Sequence, residues 1–456
     1  MICRIRHQIK TLKKSFFQIN NGEFNNLLCT DRLSELAEIS GNYRDKIYTP
    51  IVTLNLFLWQ VLSDNGSCKE AIAHLISDRL QQNLPPNSFN NGPYCKARQR
   101  LSLDWILQEV CAIGSNLHAK ANKIWAWKGF NVVLVDGTTV LMPDTESNQL
   151  QYPQQHAQKP GLGFPIARIV GLISLSAGTI IDYAIGEFQG KGTGEASLFY
   201  TLMRSLNTGD LLLADRYYST YAILVCLKLK GVEFVSMNHA KKKADFRKGI
   251  KLGKKDHLME WIKPKRKPIW MSKDDYELLP NTLTIREFSV SGVVYISTLL
   301  DADTYSKKDL VNLYKERWKV ELDFRTLKTD LKMDMLRCKS PSMVEKEIAV
   351  RFMAYNLIRG SMAESANKQG EIARHISFKA TVQLLSVAQI KLSNVTKSIM
   401  KKAYDALLET VATTRIGKRK RPSQPRAIKR RPKAYPLLTE PRADACQRIN
   451  EAFCES

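Results

Sequence analysis

The stretch Asn131-Val-Val-Leu-Val-Asp-Gly-Thr-Thr139 is an apolar run that delivers a carboxylate at its end. A second run, Leu211-Leu-Leu-Ala-Asp-Arg-Tyr-Tyr218, has the same form. Both are of strand length and apolar throughout, which is typical of strands buried on both faces of a sheet. If the two strands are parallel neighbours, Asp136 and Asp215 lie side by side, at the edge where open α/β sheets bind their ligands.

Each aspartate also has a simpler interpretation. Asp136 followed by Gly137 is common turn chemistry. Asp215 stands just ahead of a predicted helix and has the character of an N-cap. The repetition of one pattern in two strands favours a shared carboxylate site over two unrelated local roles.

A third carboxylate follows from helix geometry in residues 314–328, within a helical region predicted from Ser306 past 330. At about 100° per residue, one stripe about 60° wide collects four polar side chains, Tyr314, Arg317, Glu321 and Lys328. The apolar residues fall beside it and predict the buried face: Leu313, Val320, Phe324, Leu327 and Leu331. Asp323 falls on the opposite side and is expected to be solvated. The alternative for Glu321 is an ordinary surface ion pair with Arg317.

Three converging carboxylates repel one another and need cations to coexist. Hard oxygen ligands favour Mg²⁺, with Mn²⁺ as a substitute, rather than zinc. Two such ions would clamp the attacking and leaving oxygens of an in-line phosphoryl displacement. Arg317 and Lys328, on the same helix face, would hold phosphates beside the metals, and Tyr314 would pack along a nucleic-acid backbone.

The composition independently indicates a polyanionic partner. The 456 residues include 69 Lys and Arg against 44 Asp and Glu, a net charge of +25. Such a field favours nucleic acid over other partners. No apolar run approaches the roughly 18 residues of a spanning helix, and the N-terminus has no signal-peptide core. Nine scattered cysteines without a Cys-x-x-Cys pair support neither zinc nor disulfides, so a reducing, cytoplasmic location fits best.

The order of the predicted elements suggests an α/β protein with several units. Three strands in a meander precede helix, strand, helix and strand, which implies a sheet with antiparallel and parallel parts.

These residues resemble the DDE transposases of the insertion-sequence-four group. The group's signature Tyr-x2-Arg-x3-Glu-x6-Lys is matched at Tyr314, Arg317, Glu321 and Lys328. The contexts of Asp136-Gly-Thr138, Pro160-Gly-Leu-Gly-Phe-Pro165, Asp215-Arg216 and Tyr355-Asn-Leu-Ile-Arg359 also agree, and the resemblance spans about residues 130–360.

The resemblance implies an RNase H-like (retroviral-integrase-type) catalytic core with a mixed five-stranded sheet, interrupted by an inserted subdomain between the second Asp and the Glu. The division predicted on this basis is a helical N-terminal DNA-binding region (1–125), a catalytic core (126–237 and 301–360), a basic β-rich insertion (238–300), a helical C-terminal region (361–414) and a flexible basic tail (415–456). It also implies metal-dependent cut-and-paste transposition in a prokaryotic, nucleoid-associated setting. Hydrolysis at the transposon ends leads to a hairpin intermediate and then to strand transfer. The implied partners are the terminal inverted repeats of the element, target DNA and a second copy of the chain in a homodimer that holds two ends.

Further DNA contacts are expected from basic residues outside the signature. They are Arg216, next to the second Asp; Lys96, Arg98 and Arg100, in the segment 94–101; and Lys241, Lys242 and Lys243, in the insertion. Residues 238–267 carry 12 basic and 3 acidic side chains, and residues 415–433 carry 10 basic and no acidic ones. The excess charge is therefore concentrated in two strips rather than spread over the surface.

Two questions stay open from the sequence. Relatives form the hairpin with an insertion-domain tryptophan that traps a flipped base, but Val293 and Val294 stand near the expected spacing, and Trp261 and Trp270 lie further upstream. The alternatives to a transposase are an RNase H-like nuclease without strand transfer, or a catalytically silent DNA-binding protein derived from a transposase. The three intact carboxylates argue against the silent protein.

Overall fold

The structure is a computed structural model that describes residues 2–18, 22–24, 26–40, 47–190, 192–392, 395–416 and 438–454. Its strands are β1 (Asn131–Leu141), β2 (Ile166–Ser174), β3 (Ile180–Glu187), β4 (Asp210–Leu213), β5 (Glu233–Met237), β6 (Ile250–Gly253), β7 (Asp256–Ile262), β8 (Thr282–Val290) and β9 (Val293–Ser297).

Helices precede, separate and follow these strands. They are α1 (Ile2–Ser15), α2 (Thr30–Ile39), α3 (Pro50–Leu62), α4 (Cys68–Gln81), α5 (Gly92–Arg100), α6 (Leu103–Trp125), α7 (Glu146–Gln151), α8 (Glu195–Leu202), α9 (Tyr221–Leu229), α10 (Lys273–Leu278), α11 (Lys307–Lys315), α12 (Lys319–Thr329), α13 (Pro341–Lys368), α14 (Phe378–Leu392), α15 (Lys397–Thr413) and α16 (Arg442–Cys454). No helix in the described part of the chain combines the length and apolar character needed to span a bilayer.

The strands form one mixed sheet in the order β3-β2-β1-β4-β5-β9-β8-β7-β6. The predicted meander is present, because β1, β2 and β3 pair antiparallel, and the predicted parallel part is present as β1, β4 and β5. The fold is therefore α/β with a large mixed sheet, as expected. The predicted count of five strands is wrong, because the described residues form a sheet of nine.

The four additional strands belong to residues 238–300. β9 pairs antiparallel with β5, and β8, β7 and β6 follow outward from it. The strands of this insertion thus continue the sheet instead of forming a separate one. Backbone hydrogen bonds run without interruption from the strand that carries Asp136 to the lysine-rich segment.

The first strand is apolar because both of its faces are covered. Val132 and Leu134 pack into the cluster that includes α6 and α13, whereas Val133 and Val135 pack into the cluster that includes α8 and α9. Successive side chains of a strand point to opposite faces, so a strand between two helical layers needs apolar residues at every position.

Helix α6 approaches the sheet at Gly114 more closely than any side chain would allow. A Cβ atom at this position would lie 1.8 Å from the carbonyl oxygen of Ile180 on β3. The same carbonyl accepts a hydrogen bond of 2.9 Å from the side-chain amide of Asn356 on α13. The two long helices and the edge of the meander are thereby held in one close contact.

We expect Gly114→Ala to lower the free energy of unfolding by about 2 to 3 kcal/mol, because the new methyl group must displace backbone in a packed interior. Chemical denaturation of the purified variant measures the change. Gly253→Ala is the control, since a Cβ there meets nothing within 4 Å. Equal stabilities of the two variants would contradict the close approach.

Candidate active site

The two strand-end aspartates lie at the same level of the sheet. The parallel register of β1 and β4 runs from Asn131 opposite Asp210 to Leu134 opposite Leu213. Asp136 and Asp215 each follow the last paired residue by two positions. Adjacent strands are about 4.8 Å apart, so the register places the two carboxylates beside each other.

Asp136 is not in a turn. It pairs with Gly171 inside the antiparallel ladder between β1 and β2, and Gly137 pairs with Val170. The glycine is needed for a different reason: a Cβ at position 137 would lie 2.5 Å from the carboxylate of Glu195, at the start of α8. Gly137 therefore makes room for a further acidic side chain at this end of the strand.

Glu195 was not singled out from the sequence. An acidic residue in the first turn of a helix is common, because it interacts favourably with the helix dipole, so its identity alone carries no signal. The contact with Gly137 shows that this carboxylate lies against the strand that carries Asp136.

Asp215 precedes a single 3₁₀ turn, Arg216–Tyr218, but its side chain accepts no capping hydrogen bond. The N-cap interpretation explains its position in the chain but not its side chain. The adjacent Arg216 directs its guanidinium to the sulfur of Met237, at 3.8 Å.

The signature residues lie on two helices and in the turn between them: Tyr314 on α11, Arg317 in the turn, and Glu321 and Lys328 on α12. A 3₁₀ turn, Glu316–Trp318, separates α11 from α12. The predicted buried face is confirmed, since Leu313, Val320, Phe324, Leu327 and Leu331 are all buried. Tyr314 is buried as well, and its ring packs edge-on against Tyr295 of β9 with ring centroids 5.5 Å apart.

Arg317 connects the strand site to the helix site. Its Nη1 lies 3.6 Å from Oδ2 of Asp136, and its Nη2 lies 3.1 Å from Oε1 of Glu321. The i,i+4 pair expected from a surface helix is therefore formed, but its arginine is only 6 % exposed and also faces Asp136. Its Nε is buried and has no hydrogen-bond partner among the described residues.

The sequence predicted a solvated Asp323, and this prediction is wrong, because the residue is only 1 % exposed. Its carboxylate accepts hydrogen bonds from Arg374 at 2.6 and 2.7 Å, from Arg359 at 2.7 Å and from the Tyr355 hydroxyl at 3.0 Å. A helical wheel considers one helix alone, so it places the face opposite the apolar stripe in solvent. In the protein, α13 and the segment after it bring their own charges to that face.

Burial raises the pKa of Asp136 to about 6. The hydrogen bond from the Gly137 amide and the charge of Arg317 oppose this shift, whereas the charges of Glu195 and Glu321 add to it. A buried carboxylate among other carboxylates is stabilised by a cation, so the site is built to hold positive charge.

The three predicted carboxylates are not drawn together around one point. In the part of the chain that the structure describes, no three His, Cys, Asp or Glu side chains are positioned to hold a metal ion. The guanidinium of Arg317 lies between Asp136 and Glu321 and supplies positive charge there. The donor atoms nevertheless fit a hard divalent cation, since all are carboxylate oxygens.

Lys328 is half-buried near the end of α12. Burial lowers its pKa, and the charge of Asp334 opposes that shift. Beside the acidic site, two aromatic side chains are unusually exposed: Tyr217 at 72 % and Trp318 at 61 %. Exposed aromatic rings are suited to stacking on nucleic-acid bases.

The basic residues of α5 do not all face solvent. Lys96 and Arg100 are exposed, as a DNA contact requires, but Arg98 is only 8 % exposed. Its guanidinium packs over the rings of Phe57 and Tyr94, at 4.9 and 5.1 Å from their centroids. Arg98 therefore does not lie on an open surface of α5, and its role in DNA binding stays a prediction.

In the insertion, Lys241, Lys242 and Lys243 follow β5. The ammonium group of Lys242 lies over the indole ring of Trp261, and burial lowers its pKa to about 8. Trp261 is itself buried, and its indole nitrogen donates to Glu287 at 2.7 Å.

The two tryptophans upstream of the signature both pack against other side chains of the fold. Trp261 is enclosed as described, and Trp270 packs against Tyr200 with ring centroids 4.8 Å apart. Val293 and Val294 form the start of β9. Most of the predicted basic tail, residues 417–437, lies outside the described residues.

Residues 127–357, just over half of the chain, match the transposase DDE domain family. The chain therefore belongs to this family and is a DNA transposase, an enzyme of DNA cleavage and strand transfer.

The chain is 27 % identical over 393 residues to the transposase InsG for insertion sequence element IS4 of Escherichia coli (strain K12). The aligned region covers 84 % of this chain and 86 % of that protein. This match confirms the resemblance to the insertion-sequence-four group. A 68-residue stretch, 15 % of this chain and 18 % of the relative, is 37 % identical to the putative transposase InsL for insertion sequence element IS186A of the same organism.

Among solved structures, the piggyBac transposase synaptic complex with hairpin DNA is similar over 87 % of this chain and 84 % of its own, with 11 % identity and a TM-score of 0.40.

The raised pKa of Asp136 has a consequence for stability. Because the folded pKa of about 6 exceeds the ordinary value of 3.8, this carboxyl binds its proton more tightly in the folded chain, and its contribution to stability falls as pH rises from about 4 to 6. We expect Asp136→Asn to raise the free energy of unfolding by about 1 to 3 kcal/mol above pH 6, and the gain to disappear near pH 4.

Denaturant unfolding of the wild type and the variant across pH 4 to 8 measures this difference. Asp303→Asn, at an exposed carboxylate, serves as the matched control. A gain that is the same at every pH would show that the side-chain charge is not its cause.

Proposed function

We propose that this enzyme catalyses metal-dependent cut-and-paste transposition of its own insertion sequence, with Asp136, Asp215 and Glu321 as the catalytic carboxylates. The observation that carries the proposal is the level placement of two strand-end aspartates together with Arg317, which contacts both Asp136 and Glu321. The reaction begins with hydrolysis at the transposon ends, passes through a hairpin intermediate and ends with strand transfer into target DNA.

The three carboxylates are the proposed ligands of two Mg²⁺ ions, for which Mn²⁺ substitutes. Bound there, the ions would activate the attacking oxygen and stabilise the leaving oxygen of each phosphoryl transfer. Ionisation of Asp136 is required for this role, and its pKa of about 6 leaves it largely ionised at neutral pH. Glu195, against Gly137, is a further candidate for the same acidic centre.

Basic and aromatic residues around the carboxylates are the proposed contacts with DNA. Arg317 and Lys328 would bind phosphates near the reacting bond, with Arg216 beside them, and the exposed rings of Tyr217 and Trp318 would stack on bases. Tyr314, enclosed against β9, acts as a support for Arg317, whose guanidinium carbon lies 6.0 Å from its ring centroid.

Contacts with DNA farther from the centre are proposed for exposed lysines and arginines of two other regions. In the N-terminal region, the proposed contacts are Lys96 and Arg100 on α5. In the insertion, they are Lys241 and Lys243. These are contacts of charge with the phosphate backbone, so they add affinity without sequence preference.

The proposed architecture has an RNase H-like core formed by the strands β3-β2-β1-β4-β5 and the helices around them. Support comes from the antiparallel meander followed by two parallel strands. The proposed boundaries remain a core of 126–237 and 301–360 with the insertion of 238–300 between them. A homodimer that holds two transposon ends, in the cytoplasm of a prokaryotic cell, completes the proposal.

Incubation of the protein with labelled end-containing DNA and target DNA in Mg²⁺ tests this function. We expect cleaved ends, a hairpin species on denaturing gels and joined products, and none of these after chelation of the metal. Cleavage without joining would indicate a nuclease instead, and a shifted but uncut probe would indicate a silent DNA-binding protein.

In the same assay, we expect Asp136→Ala, Asp215→Ala and Glu321→Ala each to abolish cleavage while end binding stays nearly intact, because the carboxylates hold the ions and not the DNA. Glu195→Gln belongs in the panel, and slower cleavage with retained binding would assign it to the centre. Glu316→Ala is the matched control, since this acidic residue lies five positions before Glu321 and pairs with Lys319. Wild-type cleavage by Asp136→Ala would overturn the metal site.

Lys328→Ala tests the phosphate role of the signature lysine. We expect weaker end binding and a salt dependence reduced by about one counterion, because one phosphate contact releases about one cation. Titration of end DNA at several salt concentrations measures the slope. Lys308→Ala, at an exposed lysine of α11, is the control, and a slope that Lys328→Ala leaves unchanged would remove the residue from the DNA contact.

A further inference from the structure

A cavity of about 740 Å³ lies away from the acidic site, between the N-terminal helices and the start of α13. Its walls come from α3, α4 and α5 on one side, and from the segment 337–340 and α13 on the other. The chain enters this segment directly from the catalytic sheet, because Met335 bridges to Leu141 at the end of β1. The cavity thus adjoins the strand that carries Asp136.

Three helices begin at this cavity. Ser67, Asn91 and Ser340 line it, and they are the N-caps of α4, α5 and α13, which are 14, 9 and 28 residues long. The side chains of Asn91 and Ser340 make no capping hydrogen bond. Helix N-termini carry partial positive charge and unpaired amide groups, and they favour anions.

A buried arginine also lines the cavity without an anionic partner. The Nη2 atom of Arg98 lies 3.2 Å from the sulfur of Cys68 and 3.8 Å from that of Cys95, and its Nε has no hydrogen-bond partner within the described residues. Thiol sulfur is a weak acceptor. A guanidinium that is enclosed by rings and thiols, with no carboxylate, is a buried charge that lacks its counter-ion.

The remaining charges at the cavity do not supply that counter-ion. Its lining includes Lys69, Arg337, Lys339 and Arg351 besides Arg98, and one acidic residue, Glu347. Glu347 is already fully engaged, since it pairs with Arg351 at 2.7 Å and accepts from the amides of residues 337 and 338 at 2.9 and 3.0 Å. The cavity therefore carries a net positive charge that only an external anion can balance.

We propose that this cavity binds a backbone phosphate of the DNA on which the enzyme acts, with Arg98 as the buried contact and Arg337 and Lys339 at the exposed rim. The inference rests on the proposed function. Five residues of β1 separate Asp136 from Leu141, roughly 17 Å at the rise of a strand. A duplex of about five base pairs covers the distance to Leu141, and a duplex that continues beyond the end of β1 would reach the cavity as well.

Cysteine footprinting tests the proposal directly, because Cys68 and Cys95 line the cavity and are partly exposed. The full-length protein is alkylated with and without end-containing duplex DNA, and the modified thiols are quantified by mass spectrometry. We expect DNA to slow the alkylation of both several-fold while the exposed Cys29 reacts unchanged.

The variant Arg337→Gln/Lys339→Gln should lose that protection and show a salt dependence of binding reduced by about two counterions. Lys123→Gln/Lys308→Gln removes two exposed charges outside the cavity and should keep the protection. Arg98→Met tests the buried contact. If this variant does not fold, the protection measured with Arg337→Gln/Lys339→Gln decides whether the cavity binds DNA.

The outcomes separate the inference from the proposed function. Wild-type protein that binds and cleaves DNA while both cavity thiols react at their free rate overturns the cavity site alone. Absence of DNA binding by the wild type overturns both proposals. Protection by inorganic phosphate but not by duplex DNA overturns DNA as the source of the phosphate and leaves a small-anion site.

Discussion

The position of the helix that carries Glu321 depends on a buried carboxylate two residues further along. Asp323 is held by two arginines, Arg359 from α13 and Arg374 from the segment after it. Arg374 also donates to the backbone carbonyl of Ser174, at the end of β2. One charge cluster therefore ties α12, α13 and the sheet together. Removal of one partner from such a cluster leaves an uncompensated buried charge, which is far more costly than the loss of a surface ion pair.

With α12 fixed in this way, the acidic site is formed by two separate parts of the fold, the sheet and the helix α12. The sheet register sets Asp136 and Asp215 at one level, and the anchored helix brings Glu321 towards them. Arg317 then lies between Asp136 and Glu321 and partly neutralises the charge of both carboxylates. The carboxylates are held near each other without being forced into contact. The pKa of Asp136 is raised first by burial, and the charges of Glu195 and Glu321 add to that shift.

The local sequence pattern predicted much of the fold and of the acidic site, and each wrong prediction has a specific physical cause. The doubly buried β1 and β4 were predictable because strands between two helical layers are apolar throughout, and the meander followed from the order of the runs. Asp323 was misjudged because the partners that bury it, such as Arg374, come from distant sequence. The burial of Arg98 was not predicted because its aromatic neighbours Phe57 and Tyr94 are likewise brought together only by packing. The continuation of the sheet by β6 to β9 was not predictable, since strand pairing across an insertion leaves no local signal.

The continuation of the sheet by β6 to β9 also gives the lysine-rich segment a role in preventing edge-to-edge strand pairing between molecules. β6 forms one edge of the nine-stranded sheet, where unpaired backbone groups offer a template for a second chain. The strand is only four residues long, includes Lys251 and is followed at once by Lys254 and Lys255. Short edge strands bearing lysine resist edge-to-edge pairing, since like charges on two copies repel. Replacement of these lysines by neutral residues to weaken DNA binding would therefore also remove a safeguard against aggregation.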